Sequence, residues 1–167
     1  MTASRKSATT AALALTALLA VGSAHAGYRM TAFGDTLGFE EIMSENYDAA
    51  SELLDSRRAE LNRYARHANL CVSLLKSKDV DGAMESCQRA LSVAPTDLNS
   101  SLLMGTGKRT AIMTHLYSNR GVVRAVAGDV FGARADFERA LSLDEDNANA
   151  RANLEVISAS GITGTAN

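Results

Sequence analysis

The chain has 167 residues, of which 46% are hydrophobic, 5% aromatic and 22% charged, with no Trp and a single Pro. Its formal net charge of −2 leaves it without the basic footprint that a nucleic-acid binder needs, and its length suits one domain. With so few aromatic residues, Ala and Leu must fill the core, which favours closely packed helices over a sheet sandwich.

Residues 1–26 read as a secretory signal peptide. Arg5 and Lys6 give a positive start, Ala11 to Val21 an apolar run, and Ala24-His25-Ala26 small residues around a cleavage point before Gly27. The run is shorter than the roughly 20 residues that span a bilayer, no Cys near the cleavage point supports lipid attachment, and no later segment is apolar enough to cross a membrane. Residues 1–26 hold two basic and no acidic side chains, so residues 27–167 carry fifteen basic against nineteen acidic, a net charge of −4. The expected location is outside the cytoplasm, periplasmic or secreted.

From Asp35 onward the spacing is helical. Leu53, Leu54 and Leu61 share one stretch, and Leu70, Leu74 and Leu75 another. Ala83, Cys87, Ala90 and Leu91 form an i, i+4, i+7, i+8 stripe, which Ala133, Phe137, Ala140 and Leu141 copy. No stretch alternates long enough to argue for a strand, so the expected fold class is all-α. Residues 79–94 and 129–144 are an internal repeat, identical at eight of sixteen positions. Asp79 and Asp129 stand where a side chain can cap a following helix, and Gly128 suits a left-handed helix C-terminus. Ala94-Pro95-Thr96-Asp97 is expected to end one helix. Asp144-Glu145-Asp146-Asn147 should end its copy and cap a last helix at about Ala148–Ser158. Each repeat is then two antiparallel helices joined by a tight turn.

These residues resemble the tetratricopeptide repeat, whose period is about 34 residues. One copy reads His67-x2-Leu70-Cys71-x2-Leu74, Ala83-x3-Cys87-x2-Ala90 and Pro95. The next reads Tyr117-x2-Arg120-Gly121-x2-Arg124 and Ala133-x3-Phe137-x2-Ala140, with Glu145 where Pro stood. A fainter copy holds Leu37-Gly38 and Ala50-x3-Leu54, 33 residues ahead of Ala83. The resemblance covers most of residues 31–158. It implies about three helical hairpins plus a C-terminal capping helix over residues 27–160, followed by a tail at 161–167. Ala83 to Ala133 is 50 residues, 16 more than one period. The excess falls within about 95–113, read as a loop over Pro95–Gly107 followed by an extended helix.

Cys71 and Cys87 lie eight residues either side of Asp79, so in an antiparallel hairpin they face each other. In an oxidising compartment the favoured reading is a disulfide closing a loop of about 15 residues, worth roughly 3 kcal/mol. Two buried thiols acting as small apolar residues are the alternative.

Asn69, Asn119 and Asn153 recur at one place in successive first helices, each just before Leu70, Arg120 or Leu154. In the family that the chain resembles, first helices line a concave groove, and an Asn there often bonds the backbone of an extended ligand. The resemblance implies a ladder of amides, suited to peptide because each both donates and accepts. The groove neighbours are Ala65, Ala68, Val72, Leu75, Lys76, His115, Ser118, Val122 and Val126. They make a mildly apolar surface without the Lys/Arg cluster of the family's carboxylate-clamp members, so a peptide terminus is not the favoured ligand.

Other chemistry finds little support. Gly105-Thr106-Gly107-Lys108 lacks the Ser or Thr after Lys and the preceding strand that a phosphate loop requires. His67 and His115 have no second ligand at metal spacing. Glu40-Glu41 and Asp144-Glu145-Asp146 read as helix-end or solvent-facing charges. No catalytic residue, metal or cofactor is expected. The expectation is a non-enzymatic scaffold that holds a peptide or protein segment, its partner unnamed by the sequence. Its rivals are a small exported redox or stress-related protein using Cys71 and Cys87, and a structural module that forms a homo-oligomer or fills its groove with its own insertion.

Overall fold

The computed structural model describes residues 27–34, 36–56, 63–100 and 105–160. The expected signal peptide (1–26), the expected tail (161–167), Asp35, Leu61 and residues 101–104 of the expected insertion lie outside the described residues. Among the described residues the chain is all-α, with seven helices: α1 (Phe39–Met43), α2 (Tyr47–Ser56), α3 (Arg63–Lys76), α4 (Val80–Ser100), α5 (Thr106–Val126), α6 (Val130–Leu143) and α7 (Ala148–Ala159). Each of α3, α5 and α6 packs against the helix that follows it.

The turns that make these hairpins are written in the sequence twice. After α3, the Asp79 N–H donates to the Leu74 carbonyl (2.8 Å) and the Lys78 N–H to the Leu75 carbonyl (3.1 Å). After α5, Asp129 bonds Arg124 (2.9 Å) and Gly128 bonds Ala125 (3.1 Å) in the same way. This pair of bonds closes a helix when the residue between is left-handed. Gly128 takes that conformation at φ +86° without a Cβ to object, and Lys78 takes it at φ +69°. Asp79 and Asp129 then cap the next helix, each accepting a bond from the N–H three residues on (3.0 and 2.9 Å). Asn147 caps α7 through the Ala150 N–H (2.7 Å).

Inside the hairpins the two copies solve one packing problem differently. Where α5 meets α6, Gly121 lies against Phe137, and a Cβ on Gly121 would sit 2.6 Å from the ring. The equivalent pair where α3 meets α4 is Cys71 and Cys87, joined as a disulfide with Cα atoms 5.3 Å apart and both buried. A second difference is polar. Asp136, buried on α6, accepts from Arg120 Nε (2.8 Å) and Nη2 (2.7 Å) and from Arg124 Nη1 (3.0 Å). The corresponding positions in the earlier copy are Ser86, Leu70 and Leu74.

The expected loop from Pro95 is corrected. The helix α4 continues through Pro95 to Ser100, and α5 starts at Thr106. Proline inside a helix costs about 3 kcal/mol through its missing donor and its clash with the preceding turn. The added turns offset it by what they reach. Leu98 is buried with Tyr64, Ile112 and Leu116, worth roughly 1.5–3 kcal/mol. Asp97 pairs with Arg63 (2.7 Å) and accepts from the Tyr64 N–H (3.2 Å), which caps α3. Much of the 16-residue excess is therefore helix: α4 and α5 have 21 residues each, α3 and α6 have 14.

The buried side chains form three clusters. One joins α3 to α7 around Cys71, Phe137 and Ile157, one lies among α3, α4 and α5 around Tyr64 and Leu116, and one holds α1 and α2 on α3 around Leu54 and Val72. Residues 28–33, neither helix nor strand, touch all three.

Candidate peptide-binding groove

Asn69 on α3, Asn119 on α5 and Asn153 on α7 are each fully buried, and each grips one residue of the segment 28–33 by both backbone groups. Asn69 Oδ1 accepts from the Phe33 N–H (2.7 Å), and its Nδ2 donates to the Phe33 carbonyl (3.0 Å). Asn119 does the same to Thr31, both at 2.8 Å. Asn153 does the same to Arg29, at 2.7 and 2.9 Å. A neighbouring β-strand would offer the same donor and acceptor pair to every second residue. The three amides replace that strand with side chains. The segment, called the strap below, runs from α7 to α3, against the order of the helices.

The strap's side chains alternate. Tyr28 and Met30 pack on the cluster of Leu75, Val122 and Ile157, and Met30 and Ala32 on that of Val72 and Leu54. On the other side, Thr31 Oγ1 accepts from Asn149 Nδ2 (3.0 Å) and lies 3.2 Å from His115 Nδ1. The Phe33 ring meets Tyr64 edge-on, centroids 5.7 Å apart, and His115 at 6.4 Å. Burial lowers the His115 pKa, against a smaller opposing pull from Asp144, which keeps the ring neutral and able to accept.

The residues expected to line a groove gather under the strap. Ala65 and Ala68 lie in the cluster that Phe33 covers, Val72 under Met30 and Ala32, and Leu75, Val122 and Val126 in the cluster that Tyr28 covers. Ser118 is fully buried on α5, its hydroxyl without a hydrogen-bond partner among protein groups. Lys76 departs from the expectation. It shares the Asn69 face two turns on, but it is the last residue of α3, exposed, and lines a depression with Glu45, Asn46 and Asp48.

His67 lies two residues from Asn69, on the opposite side of α3. Its Nε2 is 3.0 Å from Arg66 Nη2. Burial, then Arg66, Arg89 and Arg63, push its pKa down to about 4, against Asp97. Arg66 is itself buried and donates to the Leu54 carbonyl (2.9 Å), fastening α2 to α3. Among the described residues no group of His, Cys, Asp or Glu could hold a metal ion, and no helix is long and apolar enough to cross a membrane.

The strap has no sequence motif. Residues 27–34 precede the helical spacing that starts at Asp35 and carry no helical pattern themselves. No protein-family model matches the chain, and no curated protein matches it.

Proposed function

We propose that this protein is an exported, non-enzymatic scaffold of the tetratricopeptide-like kind, whose groove holds an extended peptide segment by its backbone. The observation that carries this reading is the row of three buried asparagines, which together grip both backbone groups at every second residue of one segment. Backbone gripping of this kind is largely independent of side-chain identity, which suits a module that takes a segment from a partner. The occupant in this structure is the chain's own strap, so a partner segment must displace it. Export is supported by the signal-like residues 1–26 and by a disulfide of the kind that persists in oxidising compartments.

A second reading is favoured by the packing. The strap touches all three core clusters, as it would in a structural module that closes its own groove for good. The redox reading has less behind it, because Cys71 and Cys87 are both buried and reactive pairs are accessible.

The test cuts the folded chain at a protease site placed after the exposed Gly34, then adds a fluorescent peptide of residues 27–34. Saturable uptake that is lost in Asn119→Ala supports the scaffold. A cut chain that never exchanges its strap, even after refolding with excess peptide, supports the closed module.

A further inference from the structure

We propose that the groove selects its ligand by side chain at two places, taking a hydroxyl residue followed two positions later by an aromatic one, a Thr/Ser-x-Phe segment. This rests on the scaffold reading and names the class of segment that it would bind.

The hydroxyl preference follows from who donates at Thr31. Asn147 Oδ1 accepts the Ala150 N–H, so its Nδ2, a donor only, is the atom 3.4 Å from His115 Nδ1. We assign the ring proton to Nε2, which leaves the one Nδ1 lone pair facing both Asn147 Nδ2 and the Thr31 hydroxyl. In that tautomer the Thr31 hydroxyl, 3.2 Å from the same Nδ1, is the donor, while its oxygen accepts from Asn149 Nδ2 (3.0 Å). Only a group that donates and accepts at one atom meets both partners. Valine meets neither, and a carboxylate would set its own lone pairs against that of Nδ1. Serine meets both.

The aromatic preference comes from the neighbouring position. The Phe33 ring stands nearly perpendicular to both Tyr64 and His115 and packs on the cluster of Ala65, Ala68 and Leu116. His115 thus serves both places, with Nδ1 turned to residue 31 and its ring to residue 33. Arg29, the third residue in the amide row, is exposed and held through its backbone, so its side chain is free to vary.

The cut chain described above is titrated with competitor peptides of residues 27–34. Thr31→Ser and Arg29→Ala peptides should compete within about threefold of the parent. Thr31→Val, Thr31→Asp and Phe33→Ala should each compete at least about tenfold more weakly, the size expected for stranding buried polar groups or emptying an aromatic site. The protein variant Asn149→Ala should narrow the gap between the parent peptide and the Thr31→Val peptide. Equal competition by all peptides, with the parent still bound, would overturn the selection and leave the scaffold standing. A parent peptide that never binds would remove both. In the uncut chain, Thr31→Val and Asn149→Ala should couple in a double-mutant cycle of stability, and strictly additive losses would also overturn the selection.

Discussion

Replacing both Cys71 and Cys87 with Ala should lower the stability of the oxidised protein by about 3 kcal/mol. The residues are 16 apart in sequence, and in the chain-entropy model a closed loop of about that length restricts the unfolded chain by roughly that amount. Both positions are buried, so the variant also leaves space that Gly121 and Phe137 fill in the other copy. The loss should therefore not fall short of the entropic figure. With a urea m-value of about 2 kcal/mol/M, usual for a chain of this size, the midpoint should move down by about 1.5 M. Urea denaturation followed by circular dichroism measures it, with reduced wild type as the control that should move in the same direction. An unchanged midpoint in both would mean that the α3–α4 hairpin does not depend on this bond.

Two further outcomes follow from buried charge. Asp136→Ala strips Arg120 and Arg124 of their shared carboxylate. Denaturation should show a loss of about 2–3 kcal/mol, below the usual range for a broken buried pair because both guanidinium groups retain some contact with water. His67 is held at a pKa of about 4 by burial and its arginine neighbours, below the unfolded value of about 6.5. The unfolded chain therefore binds the proton first, and stability present above pH 6.5 is lost as the pH falls toward 4, by about 1–2 kcal/mol from this group. Wild type and His67→Gln, compared by denaturation at pH 7 and pH 4.5, should diverge by that amount, and parallel pH profiles would refute it.

Much of the architecture was legible because its signals are local and repeated. Asp79 and Asp129 cap as their positions suggest, the left-handed Gly128 closes α5, and Ala83, Cys87 and Ala90 are buried like their copies Ala133, Phe137 and Ala140. The bond between Cys71 and Cys87 was legible from their equal distance from one turn. Pro95 misled because its local rule is outweighed by partners distant in sequence: Asp97 reaches Arg63 and Tyr64, and Leu98 reaches Ile112 and Leu116. The Asn row was visible as a recurrence, but its occupant was not. A segment gripped through its backbone needs no pattern of its own, so residues 28–33 gave no sign that Asn69, Asn119 and Asn153, up to 124 residues away, would hold them. Lys76 shows the converse: the right helix face by spacing, but past the end of the row.

The three asparagines hold alternate residues of one segment by their backbones. Residue-resolved amide hydrogen exchange on the intact protein tests this arrangement most directly. Exchange should alternate, with the N–H groups of Arg29, Thr31 and Phe33 protected and those of Met30 and Ala32 exchanging much faster. Asn119→Ala should release Thr31 first. Uniform fast exchange from residue 28 to residue 33, or protection that ignores the alternation, would contradict the arrangement.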